Sequence, residues 1–175
     1  FHHYYKQLED DQKKLSALVN YLESIRQTVF RQTQFAEFEL RIHEMVEEGV
    51  PLTGDKLNET YAKIVKKYYG HDKNVCRIPD YIKAEWAYIP HFYYNFYVYQ
   101  YSTSYTAATA LSKKMMEGDK EALDKYTEFI SAGGSDYPIN ILKKAGADLT
   151  TSEPFAITMK EMNWTMDQIN KIRNK

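Results

Sequence analysis

Residues 10–48 read DDQKKLSALVNYLESIRQTVFRQTQFAEFELRIHEMVEE. The apolar side chains Leu15, Leu18, Leu22, Ile25 and Val29, then Phe35, Phe38, Ile42 and Met45, recur every three or four positions. That period is helical, because residues three and four apart share a helix face whereas a strand alternates every second residue. Asp10 or Asp11 supplies a capping oxygen at the start, and Gly49 and Pro51 mark the stop. A typical helix has about 11–12 residues, so one that fills this stretch needs neighbours along its whole length. The five-residue step from Phe30 to Phe35 predicts a break near 32–34.

The rest of the chain reads the same way. Thr53 caps a helix whose face is Leu57, Tyr61, Ile64, Val65 and Tyr68, and Gly70 ends it. A connector, 71–90, carries the breakers Pro79 and Pro90 and a short helical or extended piece at 81–88. The next helix is predicted from just after Pro90 to Glu117. It passes through His91-Phe92-Tyr93-Tyr94-Asn95-Phe96-Tyr97-Val98-Tyr99-Gln100-Tyr101, which alone is prone to strand. The continuation 105–111, with its small residues, favours helix. Asp119 caps a helix with Ala122, Leu123, Tyr126, Phe129 and Ile130 inward, stopped by Gly133-Gly134. A short helix starts near Pro138 and ends at Gly146, and two weak helices are predicted at 153–163 and 165–174. No convincing alternating strand is present, so the fold class is all-α.

Composition narrows the functional classes. The 175 residues suffice for one domain or the helical half of a larger one. With 23 basic and 24 acidic side chains the net charge is -1, which gives no reason to expect nucleic acid or an anionic membrane as partner. No apolar run approaches the roughly 18 to 20 residues of a membrane span. Residues 1–14 are aromatic and then charged, unlike a signal peptide. A single cysteine, Cys76, rules out an internal disulfide and an all-cysteine metal site, and fits a reducing compartment.

Metal ligands leave a recognisable spacing in a sequence. A peptidase zinc helix places two histidines at i and i+4, with a glutamate beside the first as base. The chain has no H-E-x-x-H. Its nearest string, His43-Glu44-Met45-Val46-Glu47, lies on a charged helix end and reads as solvated surface. His2 and His3 are adjacent, point about 100° apart on a helix, and read as packing. Cys76 has His71 and His91 near it in sequence, but nothing local would stabilise its thiolate.

The unusual feature is tyrosine: there are 16, and aromatic residues total 15% of the chain. On one continuous helix Tyr93, Tyr97 and Tyr101 would form a stripe, and Tyr94, Tyr97 and Tyr101 a nearly identical one. His91 would stand at the helix start, where free N–H groups carry partial positive charge. Hydroxyl donors beside a histidine can stabilise a developing oxyanion. The same rings could equally fill a core between long helices, and spacing alone leaves both readings open.

Two long strings carry a resemblance. Thr28-Val29-Phe30-Arg31-Gln32-Thr33-Gln34-Phe35-Ala36-Glu37-Phe38-Glu39 and the Ile89 to Tyr101 run resemble signatures of the oligoendopeptidase F branch of the thimet-oligopeptidase-like zinc peptidases. The tail, Phe129-Ile130-Ser131-Ala132-Gly133-Gly134-Ser135 and then Leu142 to Leu149, is similar to that family's C-terminal region. The resemblance implies a cytoplasmic metalloendopeptidase that cuts oligopeptides in a channel between helical halves. It also implies a zinc held by H-E-x-x-H and a downstream glutamate, all upstream of Phe1. Residues 1–175 would then be the C-terminal helical part of the catalytic domain, binding no metal itself and partnered by the upstream half of the same peptidase. Carried over residue by residue, His91 and Tyr97 match the catalytic positions, Tyr97 polarising the scissile carbonyl. His91, Tyr93, Tyr94 and Tyr101 match substrate-binding ones. The alternative is a non-catalytic helical module that binds peptides or docks onto another subunit.

Overall fold

The computed structural model describes all 175 residues, and no strand is present among them. The chain gathers into two compact units, one of residues 27–102 and the other of 1–26 with 103–175.

The 27–102 unit is built on helix α3 (Arg31–Glu47) and helix α4 (Gly54–Tyr69). Thr53 caps α4 by accepting from the Lys56 amide, and Gly70 closes it in the left-handed region at φ 63°. A Cβ on Gly70 would meet Val75 at 3.1 Å, so both the turn and its packing require glycine there. The predicted face of α4 holds: Tyr61, Ile64 and Val65 are buried and pack with Phe35, Phe38 and Val98. The connector becomes 3₁₀ turns at His71–Lys73, Asp80–Tyr88 and Pro90–Tyr94. Trp86 in the second of them donates its indole N–H to Asn58 on α4 at 2.8 Å.

The other unit holds α1 (His2–Gln7), α2 (Asp11–Ile25), most of α5 (Tyr99–Met116), α6 (Lys120–Ala132), α7 (Pro138–Lys144) and α8 (Glu153–Arg173). Asp10 caps α2 and Asp119 caps α6, each accepting from an amide three residues on. Helix α2 packs on α8, and α6 on α7. Phe1, His2 and Tyr5 close around Trp164, with the His2 and Trp164 rings 4.3 Å apart.

Four expectations are corrected. The break foreseen near 32–34 is absent, and the one irregularity is a π turn at Arg26–Phe30, between α2 and α3. The 32–34 stretch is regular α-helix, and the step from Phe30 to Phe35 marks no change in it because Phe30 is exposed and lies off the buried stripe. The two C-terminal helices are one, Glu153–Arg173: Thr165, at the expected junction, is buried in its interior turns with its hydroxyl satisfied by the Glu161 carbonyl at 2.8 Å, so it need not leave the helix. On α6, Ala122 points inward with Tyr126 and Phe129 half-buried, while Leu123 and Ile130 are exposed, so the buried stripe is narrower than predicted. The helix expected from Pro90 begins only at Tyr99.

Buried phenols set the response to alkali. Burial above all, then donation to Glu85, holds the Tyr61 hydroxyl well above the usual phenol range. Tyr68 is raised by burial and by donation to Glu37, and Tyr21 by burial and then by the nearby Tyr105. Below the ordinary phenol pKa both folded and unfolded chains are protonated; above it the unfolded chain ionises first. Stability is therefore fully present below about pH 10 and falls as pH rises from there towards the raised folded values. Denaturant unfolding should show an undiminished midpoint up to about pH 9 and a steep loss by about pH 11; a midpoint flat across that interval would contradict the buried network.

Candidate functional site

The aromatic run is divided by its backbone. Pro90 fits the first position of a 3₁₀ turn, where its missing N–H leaves nothing unsatisfied. That turn stops at Asn95, which is left-handed at φ 48°, and Phe96 follows at φ 58°. Asparagine tolerates this region. For phenylalanine a sparsely populated backbone conformation costs on the order of 1–3 kcal/mol and persists only where the surroundings hold it. The double kink replaces the continuous helical stripes predicted for Tyr93, Tyr94, Tyr97 and Tyr101. Phe92 packs against Phe35 and Phe38, and Val98 is fully buried.

The side chains left facing outward nevertheless converge. His91 lies 5.9 Å from Tyr97 with rings nearly parallel, and 5.6 Å from Tyr101 edge-on. Tyr94 meets His91 at 6.2 Å and Tyr97 at 6.1 Å, and Tyr97 meets Tyr101 at 5.7 Å. Edge-to-face pairs at these separations are the favoured aromatic geometry. His91 Nε2 and the Tyr101 hydroxyl are 3.1 Å apart, a hydrogen bond whose donor is set by the imidazole tautomer. Desolvation first, then the adjacent Tyr97, holds the Tyr101 hydroxyl above the usual phenol range. Tyr93 stands apart, 89% exposed. Of the five predicted residues, four therefore meet in one half-open cluster. It presents phenol hydroxyls and an imidazole to solvent, donors suited to a peptide carbonyl or to the negative oxygen that develops there.

No three histidine, cysteine or carboxylate side chains gather as a metal-ligand set. The zinc implied by the resemblance therefore finds no matching set of ligands among these side chains. Cys76 is exposed, and its sulfur lies 4.0 Å from the Arg77 carbonyl. The Nδ1 of His71 accepts from the Ile78 amide. His2 sits 2.6 Å from Glu161. A cleft of about 730 Å³ lies among α5, α6 and α7, walled by Leu111, Met115, Phe129 and Ile141. Its one charged wall residue, Asp136, is already engaged by Asn140 and Lys144, and the cleft holds no histidine beside its Ser104, Ser112 and Tyr126 hydroxyls.

Sequence reasoning missed Glu39, Asn95 and Phe96. Glu39 is 1% exposed and accepts the Phe96 amide at 2.7 Å. The ring of His43, read from the sequence as solvated surface, lies 4.4 Å from that of Phe96. One signal was present: Asn95 is the only non-aromatic, turn-prone residue inside the run from His91 to Tyr97. Replacement of Asn95 by glycine should leave stability within about 0.5 kcal/mol, while valine should destabilise by about 1–2 kcal/mol because of its Cβ at positive φ. Denaturant unfolding of the two variants checks this, and equal effects would contradict the kink.

The model of peptidase family M3 matches residues 2–161. The chain is 48% identical to oligopeptidase PepF of Bacillus subtilis (strain 168), over 96% of this chain and 25% of that protein. It is 45% identical to group B oligopeptidase PepB of Streptococcus agalactiae, over 85% of this chain and 24% of that protein. The crystal structure of oligoendopeptidase-F from Enterococcus faecium resembles it with a TM-score of 0.84 at 43% identity, covering 97% of this chain and 31% of that one. The chain thus spans about a quarter of the length of the curated relatives it matches.

Proposed function

The chain belongs to peptidase family M3, and from that premise we propose that residues 1–175 form the C-terminal helical part of the catalytic domain of a cytoplasmic zinc metalloendopeptidase acting on oligopeptides. In this reading the zinc ligands and the general base come from the upstream part of the same peptidase, and these residues bind and orient the substrate. The supporting observation is the convergence of His91, Tyr94, Tyr97 and Tyr101 in spite of a broken helix. A backbone kink that gathers three phenols around one imidazole is more than a core needs.

Position supports a role for each ring of the cluster. Tyr97 touches all three other rings, and its hydroxyl donates to the carbonyl oxygen of the scissile peptide as negative charge develops there. His91, fixed by its hydrogen bond to Tyr101, orients the substrate backbone beside it. Tyr94 and Tyr101 wall the same surface. Tyr93, outside the ring cluster, is left without a role.

In the full-length enzyme, Tyr97→Phe should lower kcat on a quenched-fluorescent peptide by roughly tenfold or more, the scale of losing one oxyanion donor. An unchanged kcat would remove Tyr97 from the role. The 175-residue chain alone, given zinc and then a chelator, should show no chelator-sensitive cleavage. Zinc-dependent cleavage by this chain would place a ligand set within it and overturn the division of labour.

A further inference from the structure

Glu39 is a carboxylate on the apolar face of α3, between buried Phe35, Phe38 and half-buried Ile42, and it is itself 1% exposed. A buried carboxylate is expensive unless it is paired or hydrogen-bonded, and here no lysine or arginine pairs with it. Leucine or methionine would fill the space without that penalty. What the carboxylate does instead is accept one particular amide, that of Phe96, at 2.7 Å, within the range of charge-assisted bonds. Phe96 is the left-handed residue at which the aromatic run turns. One helical turn further along α3, on the same face, the His43 ring lies against the Phe96 ring. Residue 96 is thus gripped at two points, amide and side chain, by positions 39 and 43. The next residue in the chain is Tyr97.

We propose that Glu39, assisted by His43, is a positioning residue for the phenol cluster: it fixes the left-handed conformation of Phe96 and so aims Tyr97 at His91 and Tyr101. A strained conformation persists where surrounding contacts over-determine it, and these two contacts supply that excess. Rotation at Phe96 would swing Tyr97 away from both partners while Val98, fully buried, stayed anchored. The link to turnover rests on the peptide-binding reading of the cluster.

The test uses the full-length enzyme with Glu39→Leu, Glu39→Gln and His43→Leu, each checked by circular dichroism for retained helix. Glutamine keeps a carbonyl acceptor in place and leucine does not. Glu39→Leu should lower kcat on the order of tenfold to hundredfold, the scale for misplacing a reacting group by about 1 Å, with KM moving far less. Glu39→Gln should restore most of the loss, and His43→Leu should give a smaller fall. A second readout needs no activity. With phenylalanine labelled by ¹⁵N, the Phe96 amide proton should move upfield in Glu39→Leu, and the Tyr97–Tyr101 ring proximity signal should weaken. If that amide and that proximity are unchanged in Glu39→Leu, or in His43→Leu should the first variant not fold, the inference is overturned. Kinetic loss in Glu39→Gln equal to that in Glu39→Leu would also overturn it. An unchanged kcat in Tyr97→Phe sinks the peptide-site reading separately, while the amide readout still decides what Glu39 holds.

Discussion

The 27–102 unit depends on one buried phenol. Tyr61 is wholly inaccessible, with its ring between Phe35 and Phe38, and its hydroxyl donates to Glu85 at 2.5 Å while accepting from Gln34. The other oxygen of Glu85 takes Arg31, whose guanidinium lies over the Phe35 ring. Helix α4, helix α3 and the 80–88 turn are thereby tied at a single point. The tie matters most for the 3₁₀ segment, which has no fully buried side chain of its own and whose hydrogen-bond geometry is poorer than an α-helix's. Removing either partner of such a pair strands a polar group in the interior, so the network is far costlier to break than to leave intact.

That tie also determines where the candidate site emerges. The 80–88 turn leads through Ile89 directly into the Pro90–Tyr94 turn. With Glu85 and Trp86 fixed to the body of the unit, His91 leaves the core at a defined place. On the far side of the kink Val98 is locked in the core. The intervening residues form a short arch pinned at both ends, and its middle is held by Glu39. Ring clusters on exposed loops usually disperse because rotamer freedom outweighs weak contacts; an arch with fixed ends has less freedom to lose.

The elements that could be read from the sequence were those whose signals are local. Capping by Asp10, Thr53 and Asp119, the left-handed stop at Gly70 and the apolar face of α4 depend on residues within a few positions of one another. The all-helical class follows from period alone. What period could not show was the kink at Asn95 and Phe96, since it depends on a carboxylate 57 positions away in sequence. Four of the five candidate residues nonetheless come together, for a different geometric reason: His91, Tyr94, Tyr97 and Tyr101 meet across a turn rather than along a helix stripe, and Tyr93 falls outside. The stretched step from Phe30 to Phe35 reads as a break only while Phe30 is counted on the buried face, and the structure leaves that ring exposed. The C-terminal helix read as two weak pieces because propensity does not register the burial of Thr158 and Thr165 that holds it together.

The two tryptophans of the chain fall one to each unit. Trp86 sits beside the Tyr61–Glu85 pair with its N–H bonded to Asn58, and Trp164 sits against Phe1, His2 and Tyr5. Each unit therefore carries its own intrinsic fluorophore, in a distinct setting: one with its N–H bonded to an amide, the other against a tilted imidazole ring. Two single-tryptophan variants would turn emission into separate optical records of the two halves, with no label attached, and would reveal whether the chain melts as one cooperative body or as two.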